Sequence, residues 1–428
     1  MPGHAASALN QTTLARSSAM AWPWKAALGA SVVWILLSGL QLGSHSAFTY
    51  GMLPQHHPKG AYWGTAEGYT ATVDGVLVNR ESLQMSSLAE WFRTGSRNLP
   101  VPLGDLIYVR FAGYSLLMSA FAPWLGLYGA GVAINMVLWM LAIWCGMDLV
   151  WRWFHSTTAA ALMGAWMATA PIAGVTVGQL LPYLPSFALW MIGIWAIDRW
   201  GVCERDVSWR AAVGFGLFSA FALWIYDVYH LVALVWLLGF RKAPWPKLMV
   251  ITAVALIPRM GWLWWWSHGL NLPMKTINQH QPLQCIQAWL EAWRAGVFHG
   301  ARRVVHRVLM SIVSVGDAMA WIPVLLAWIG WRQSAVAPYR RWMLAILAVG
   351  ELPALVLASM WPHLPRWHFF VFPAVLILAS MGAAAMVQSW SRKGSASVVL
   401  SWSAVVLIAL IMNAHVLGLP QLALRIVH

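Results

Sequence analysis

The sequence predicts an all-α, polytopic integral membrane protein with about eleven transmembrane helices and a cytoplasmic N-terminus. Three observations carry that prediction. Of 428 residues, 60% are hydrophobic and 9% charged, whereas soluble domains average about 25% charged. Apolar runs long enough to cross about 30 Å of hydrocarbon recur along the whole chain. Short loops rich in Lys and Arg punctuate those runs so that one side collects the cations, as cytoplasmic loops do. The net charge of +14 then has a topological reading and implies no nucleic-acid partner.

The first span covers residues 24–46, too long for the apolar core of a cleaved leader. The second covers 130–150 and is closed by Arg152; the Ala-rich third covers 157–175. The fourth, 185–198, precedes Arg199, Arg205 and Arg210. The fifth and sixth cover 211–226 and 228–240 and precede Arg241, Lys242 and Lys247. The seventh covers 248–266; the eighth, 308–331, ends at Arg332. Arg340 and Arg341 open the ninth, 342–361, and Arg392 and Lys393 follow the tenth, 368–390. The eleventh covers 397–417. With the N-terminus inside, the basic loops fall on the cytoplasmic side. Residues 47–129 and 267–307 form two large external loops, so the chain reads as one transmembrane domain over residues 1–428. The 32 tryptophans suit interfacial belts, where an amphipathic ring sits between lipid tail and headgroup. Cys145, Cys203 and Cys285 fall in different compartments, so no disulfide is expected.

The first external loop concentrates the acids. Glu67, Asp74, Glu81, Glu90 and Asp105 are five of the thirteen in the chain. Residues 69–78 alternate around Asp74-Gly75, a two-residue hairpin signal. Leu83, Leu88, Ala89 and Phe92 recur at helical spacing until Gly95, which predicts an amphipathic helix on the membrane surface. Residues 111–127 are apolar but broken by Gly113, Pro123 and Gly126, and read as a second surface or partly inserted helix. Asp74 reads as a turn residue, because Asp-Gly is the turn pair itself. Asp105 reads as a reserve acid near the external face.

In the second external loop, Arg302, Arg303, His306 and Arg307 form a basic run suited to lipid phosphate. Its histidines lack a close Cys or acid, so no metal site is predicted. No phosphate-binding loop, dinucleotide fingerprint, redox motif or nucleophile elbow is present, and no cofactor is expected. Arg259, Asp317 and Glu351 fall near mid-depth of their spans, where charges usually face inward and pair. The expectation is a pair between Arg259 and Asp317 or Glu351.

Several stretches resemble the GT-C fold glycosyltransferases that use polyprenyl-phosphate sugars, such as protein mannosyltransferases and aminoarabinose transferases. In that family an acidic motif precedes the surface helix; here the stretch is Arg80-Glu81-Ser82-Leu83-Gln84-Met85. Phe111-Ala112-Gly113-Tyr114-Ser115-Leu116-Leu117 is similar to a Pro-Pro-x-Tyr-x-Leu-Leu segment. The turn at Ala170-Pro171, the run Gln179-Leu180-Leu181-Pro182-Tyr183, and Pro365-Arg366-Trp367-His368 also resemble family segments. There are two departures: Asn79-Arg80 stands where the family's first acid would be, and residues 175–185 hold no acid.

The resemblance implies sugar transfer from a polyprenyl-phosphate-linked donor, among membrane lipids, to an acceptor the sequence does not identify, with inversion at the sugar. Such chemistry needs a carboxylate base and cations for the departing phosphate. Glu81 is the base that position and chemistry favour, with Asp105 and Asp74 behind it. Arg110, Arg302, Arg303 and Arg366 are candidates for the phosphate. Tyr114, Tyr183, Asp227 and His368 are candidates for lining the substrate site. A bacterial inner membrane is the expected location. Two other readings of the same residues are a transporter or flippase of a lipid-linked or amphipathic solute, and an inactive scaffold of the same fold.

Overall fold

A computed structural model describes residues 22–44, 69–106, 108–226, 228–273, 287, 290–319, 322–333, 337–357 and 369–391. Apart from one hairpin, the regular elements among these residues are helices. The chain opens with helix α1, Trp24–Ser44. Strands β1, Tyr69–Val73, and β2, Val76–Asn79, pair antiparallel. The turn between them has Asp74 at φ 51° and Gly75 at φ 78°. Both central residues lie in the left-handed region, as a type I′ turn demands.

Strand β2 runs without a linker into α2, Arg80–Thr94. Gly95, at φ +66°, ends α2 by donating its N–H to the Trp91 carbonyl at 2.8 Å, the left-handed stop that glycine permits. Helix α2 buries Ser82, Gln84, Ser86 and Ser87 as well as Met85, Leu88 and Ala89, so it lacks the wet face expected of a surface helix there, and it packs on the first part of α3, Ala112–Phe154.

Helix α3 revises the expected breaks at 111–127. Gly113 and Pro123 are accommodated within it, and the only non-helical residue is Gly126, at φ 72° and ψ 171°. The helical run thus begins well before residue 130. The first part buries Tyr114, Ser115, Met118, Ser119 and Ala122 and leaves Phe121, Trp124 and Leu125 exposed. Its apolar residues therefore have an inner face, which the punctuation by Gly and Pro concealed.

The later helices are α4, Thr157–Ala168; α5, Pro171–Val177; α6, Tyr183–Arg199; α7, Trp209–Ile225; α8, His230–Gly239; and α9, Trp245–Trp264. The expected third span, 157–175, is divided at Ala170-Pro171. Proline suits the first helical position, where its missing N–H costs nothing, and Pro171 is the first residue of a new helix. The expected eighth span, 308–331, overlaps two described helices, α10, Val297–Met319, and α11, Ile322–Gln333, with residues 320 and 321 outside the described residues. Pro323 is the second residue of α11, again where proline fits. Helices α12, Ala337–Leu357, and α13, Phe372–Ser391, complete the described chain. The expected eleventh span, 397–417, lies outside the described residues.

Helix α3 is the hub, with α6, α4 and α1 around its second part. Helices α7 and α9 pair, α8 rests on α12, and α13 bridges α4 and α11. The α11–α13 crossing depends on glycine: a Cβ on Gly330 would meet the Leu378 carbonyl oxygen, and one on Gly382 the Leu326 carbonyl oxygen. Small residues give membrane helices this close approach.

By length and composition, three helical stretches among the described residues can cross a membrane: Val109–Phe154, Trp245–Gly269 and Phe372–Trp390. Shorter apolar helices accompany them, including Trp24–Leu40 and Trp209–Ile225. This is the build of a polytopic integral membrane protein.

Candidate active site around Glu81

Glu81 is the second residue of α2, placed there by the β-hairpin that feeds the helix. The positive end of the helix dipole favours a carboxylate at this point. The Tyr183 hydroxyl donates to Glu81 Oε2 at 3.4 Å. Tyr183 is the first residue of α6 and is nearly buried, at 4% exposure. The two residues are 102 apart in sequence, so only the tertiary fold joins them.

An aromatic relay continues from Tyr183. Its ring meets Tyr226 edge-on at 5.4 Å, and Tyr226 packs against Phe111 at 4.5 Å. Two guanidinium groups flank the Phe111 ring, Arg110 at 4.7 Å from the centroid and Arg259 at 5.8 Å. Arg259 Nη1 also points to the Leu223 carbonyl at 3.5 Å. Cations beside an aromatic ring gain from its quadrupole. An acid therefore stands at one end of a short aromatic wall and two cations at the other.

The wall is held from several sides. Arg110 and Phe111 lie on the 3-10 turn Tyr108–Phe111. The Trp262 indole of α9 donates to the Val109 carbonyl at 2.8 Å, clamping that turn. Gly113 lets the start of α3 lie against α7, because a Cβ there would sit 2.9 Å from the Trp224 backbone. The Ser115 hydroxyl donates to the Met85 carbonyl at 2.9 Å and ties α3 to α2.

Asp74 sits at the hairpin tip, where Oδ2 accepts the Tyr128 N–H at 2.8 Å. Asp105 is exposed in the 3-10 turn Leu103–Asp105, on the connection that leads to Arg110. Tyr114 is fully buried, its hydroxyl 3.1 Å from Asn135 Oδ1 and 3.3 Å from the Gly131 carbonyl. Asn135 Nδ2 in turn donates to the carbonyls of Val177 and Gln179, both at 2.9 Å. Tyr114 therefore supports the segment leading to Tyr183 from inside the core. Arg302 and Arg303 lie on α10, which packs on α11 and α5, elements separate from those carrying Glu81. Asp227, Arg366 and His368 lie outside the described residues, as does the side chain of Asp317, which with Glu351 was one of the two acids expected to pair with Arg259.

Tyr226, Phe111 and Arg259 complete the wall without having been candidates for the site. Arg259 carried a signal, a charge inside an apolar span. Phe111 stood only at the head of a stretch similar to a family segment, and Tyr226 carried no signal, since aromatics are abundant throughout the chain.

No family model and no curated protein matches the sequence. Among solved structures, the chain is similar to the crystal structure of ArnT from Cupriavidus metallidurans in the apo state. The two share 14% identity over 77% of each chain, with a TM-score of 0.37.

Proposed function

We propose that this protein is a membrane glycosyltransferase that moves a sugar from a polyprenyl-phosphate donor to an acceptor on the outer face of the membrane. The observation that carries the reading is the wall from Glu81 through Tyr183, Tyr226 and Phe111 to Arg110 and Arg259. The topology belonging to it has about eleven spans, an N-terminus inside, and both large loops outside. Basic loops after α6 and α8 then fall in the cytoplasm, and the start of α2 lies on the opposite side.

Glu81 serves as general base. It takes the proton from an acceptor hydroxyl, amide or amine, and the freed lone pair attacks the anomeric carbon from the face opposite the phosphate. The bond from that carbon to the phosphate oxygen breaks, and polyprenyl phosphate leaves with the electron pair. One displacement inverts the anomeric centre. The Tyr183 hydrogen bond orients the carboxylate. Arg110 and Arg259 supply forked donors for the phosphate as its charge grows.

The test is incorporation of labelled sugar from a polyprenyl-phosphate donor by purified protein in nanodiscs. Glu81→Gln keeps the size and loses the base. It is expected to lower turnover by about 10²- to 10⁴-fold, the usual scale of general-base catalysis. Full activity in Glu81→Gln removes Glu81 from the role. Solute flux without any transfer selects a transporter instead.

A further inference from the structure

We infer that Asp74 is a positioning residue: its carboxylate latches the β-hairpin to helix α3 and thereby sets the contact between Glu81 and Tyr183. The chemical consequence rests on the transferase reading above, but the geometry does not.

The latch closes at the one break in α3. Gly126 leaves the helix at φ 72° and ψ 171°, so helical structure starts afresh after it. The first N–H groups of a helix lack partners within it. Tyr128 N is one of these, and Asp74 Oδ2 accepts it at 2.8 Å. A carboxylate is well suited there, because the helix dipole adds to the hydrogen bond. The glycine is needed for space as well as conformation, since a Cβ on Gly126 would sit 2.6 Å from Asp74 Oδ2.

Both halves of the site hang from this point. On one side, Asp74 is joined to Glu81 by β2 alone. On the other side, a Cβ on Gly178 would lie 3.3 Å from the Tyr128 hydroxyl oxygen, so that side chain reaches the turn before Tyr183. Asn135, two turns further along α3, holds the Val177 and Gln179 carbonyls of the same turn. The start of α3's second part thus touches the Glu81 side through its backbone and the Tyr183 side through its ring. The Tyr183–Glu81 separation of 3.4 Å already exceeds the roughly 3.0 Å upper end usual for a hydroxyl donor. A small shift of the hairpin is enough to break it.

The test uses the full chain with 3-fluorotyrosine at position 183 and reads the fluorine resonance. Glu81→Gln first shows how that resonance moves when the carboxylate is lost. Asp74→Ala is expected to move it the same way. Asp74→Asn keeps an acceptor oxygen for Tyr128 N and is expected to restore the wild-type position. Gly126→Ala cuts the latch from the α3 side and is expected to match Asp74→Ala, so the test survives if one variant fails to fold. In the transfer assay, Asp74→Ala is expected to lower kcat by about 10-fold or more with the donor KM unchanged, as misplacing a catalytic group does. A wild-type resonance in both latch variants overturns the inference, as does a resonance insensitive to Glu81→Gln. If no variant transfers sugar, wild type included, the proposed function fails while the resonance still decides the latch.

Discussion

Helices α1 and α6 look alike as strings of residues and have opposite surroundings. Helix α1 keeps Ala27, Ala30, Trp34 and Ser38 inside and turns Leu28, Val32, Leu36 and Leu40 outward. Its inner stripe reaches α3, where the Trp34 indole donates to the Met136 carbonyl at 3.2 Å. Helix α6 is buried on nearly every side from Tyr183 to Ile197. Its Trp190 indole donates to the Phe370 carbonyl at 2.7 Å and its Trp195 indole to Asp148 Oδ2 at 2.7 Å. The contrast teaches that apolar character does not separate inside from outside in a membrane. Lipid tails are as apolar as leucine, so an outward face needs no polar marking.

Truncations should expose that contrast. Trp190→Ala removes a fully buried ring and leaves the Phe370 carbonyl without its indole donor. A loss of about 3–5 kcal/mol is expected, read as a large drop in the thermal midpoint in detergent. Gly193→Ala is the next largest. Its new Cβ would lie 2.1 Å from Leu231 Cδ2 of α8, forcing that side chain to move, at a cost of about 1–3 kcal/mol. Leu36→Ala on α1 is the smallest. Leu36 is 61% exposed, and a change below about 0.5 kcal/mol is expected. A midpoint that falls as far for Leu36→Ala as for Trp190→Ala would mean that a partner covers α1.

Legibility in the sequence follows the same division. The hairpin was readable because Asp-Gly specifies its own turn, and Asp74 and Gly75 do take positive φ. The helix bearing Glu81 was readable from its apolar spacing, but its burial was not: Ser82, Gln84, Ser86 and Ser87 are buried along with Met85, Leu88 and Ala89. The continuation of α3 through Gly113 and Pro123 was not, because tertiary packing overrides local punctuation. Within the site, Glu81 was found by its helix position and the family resemblance, Arg110 by charge, and Tyr183 through the family resemblance. Tyr226 was silent, and Phe111 was marked by no more than its place in a family-like stretch, in a chain with 32 tryptophans, 14 phenylalanines and 10 tyrosines.

By itself, the sequence determined a helical, membrane-embedded chain, the Asp74-Gly75 turn, and the placing of a carboxylate at the start of a helix. Each follows from local rules: hydrocarbon thickness, backbone conformation at φ > 0, and helical period. Tertiary structure alone decided which apolar faces turn inward, and that Glu81 meets Tyr183 while Arg110 and Arg259 share Phe111. Those contacts join residues far apart in the chain, and no local rule scores a pairing that exists only once helices pack.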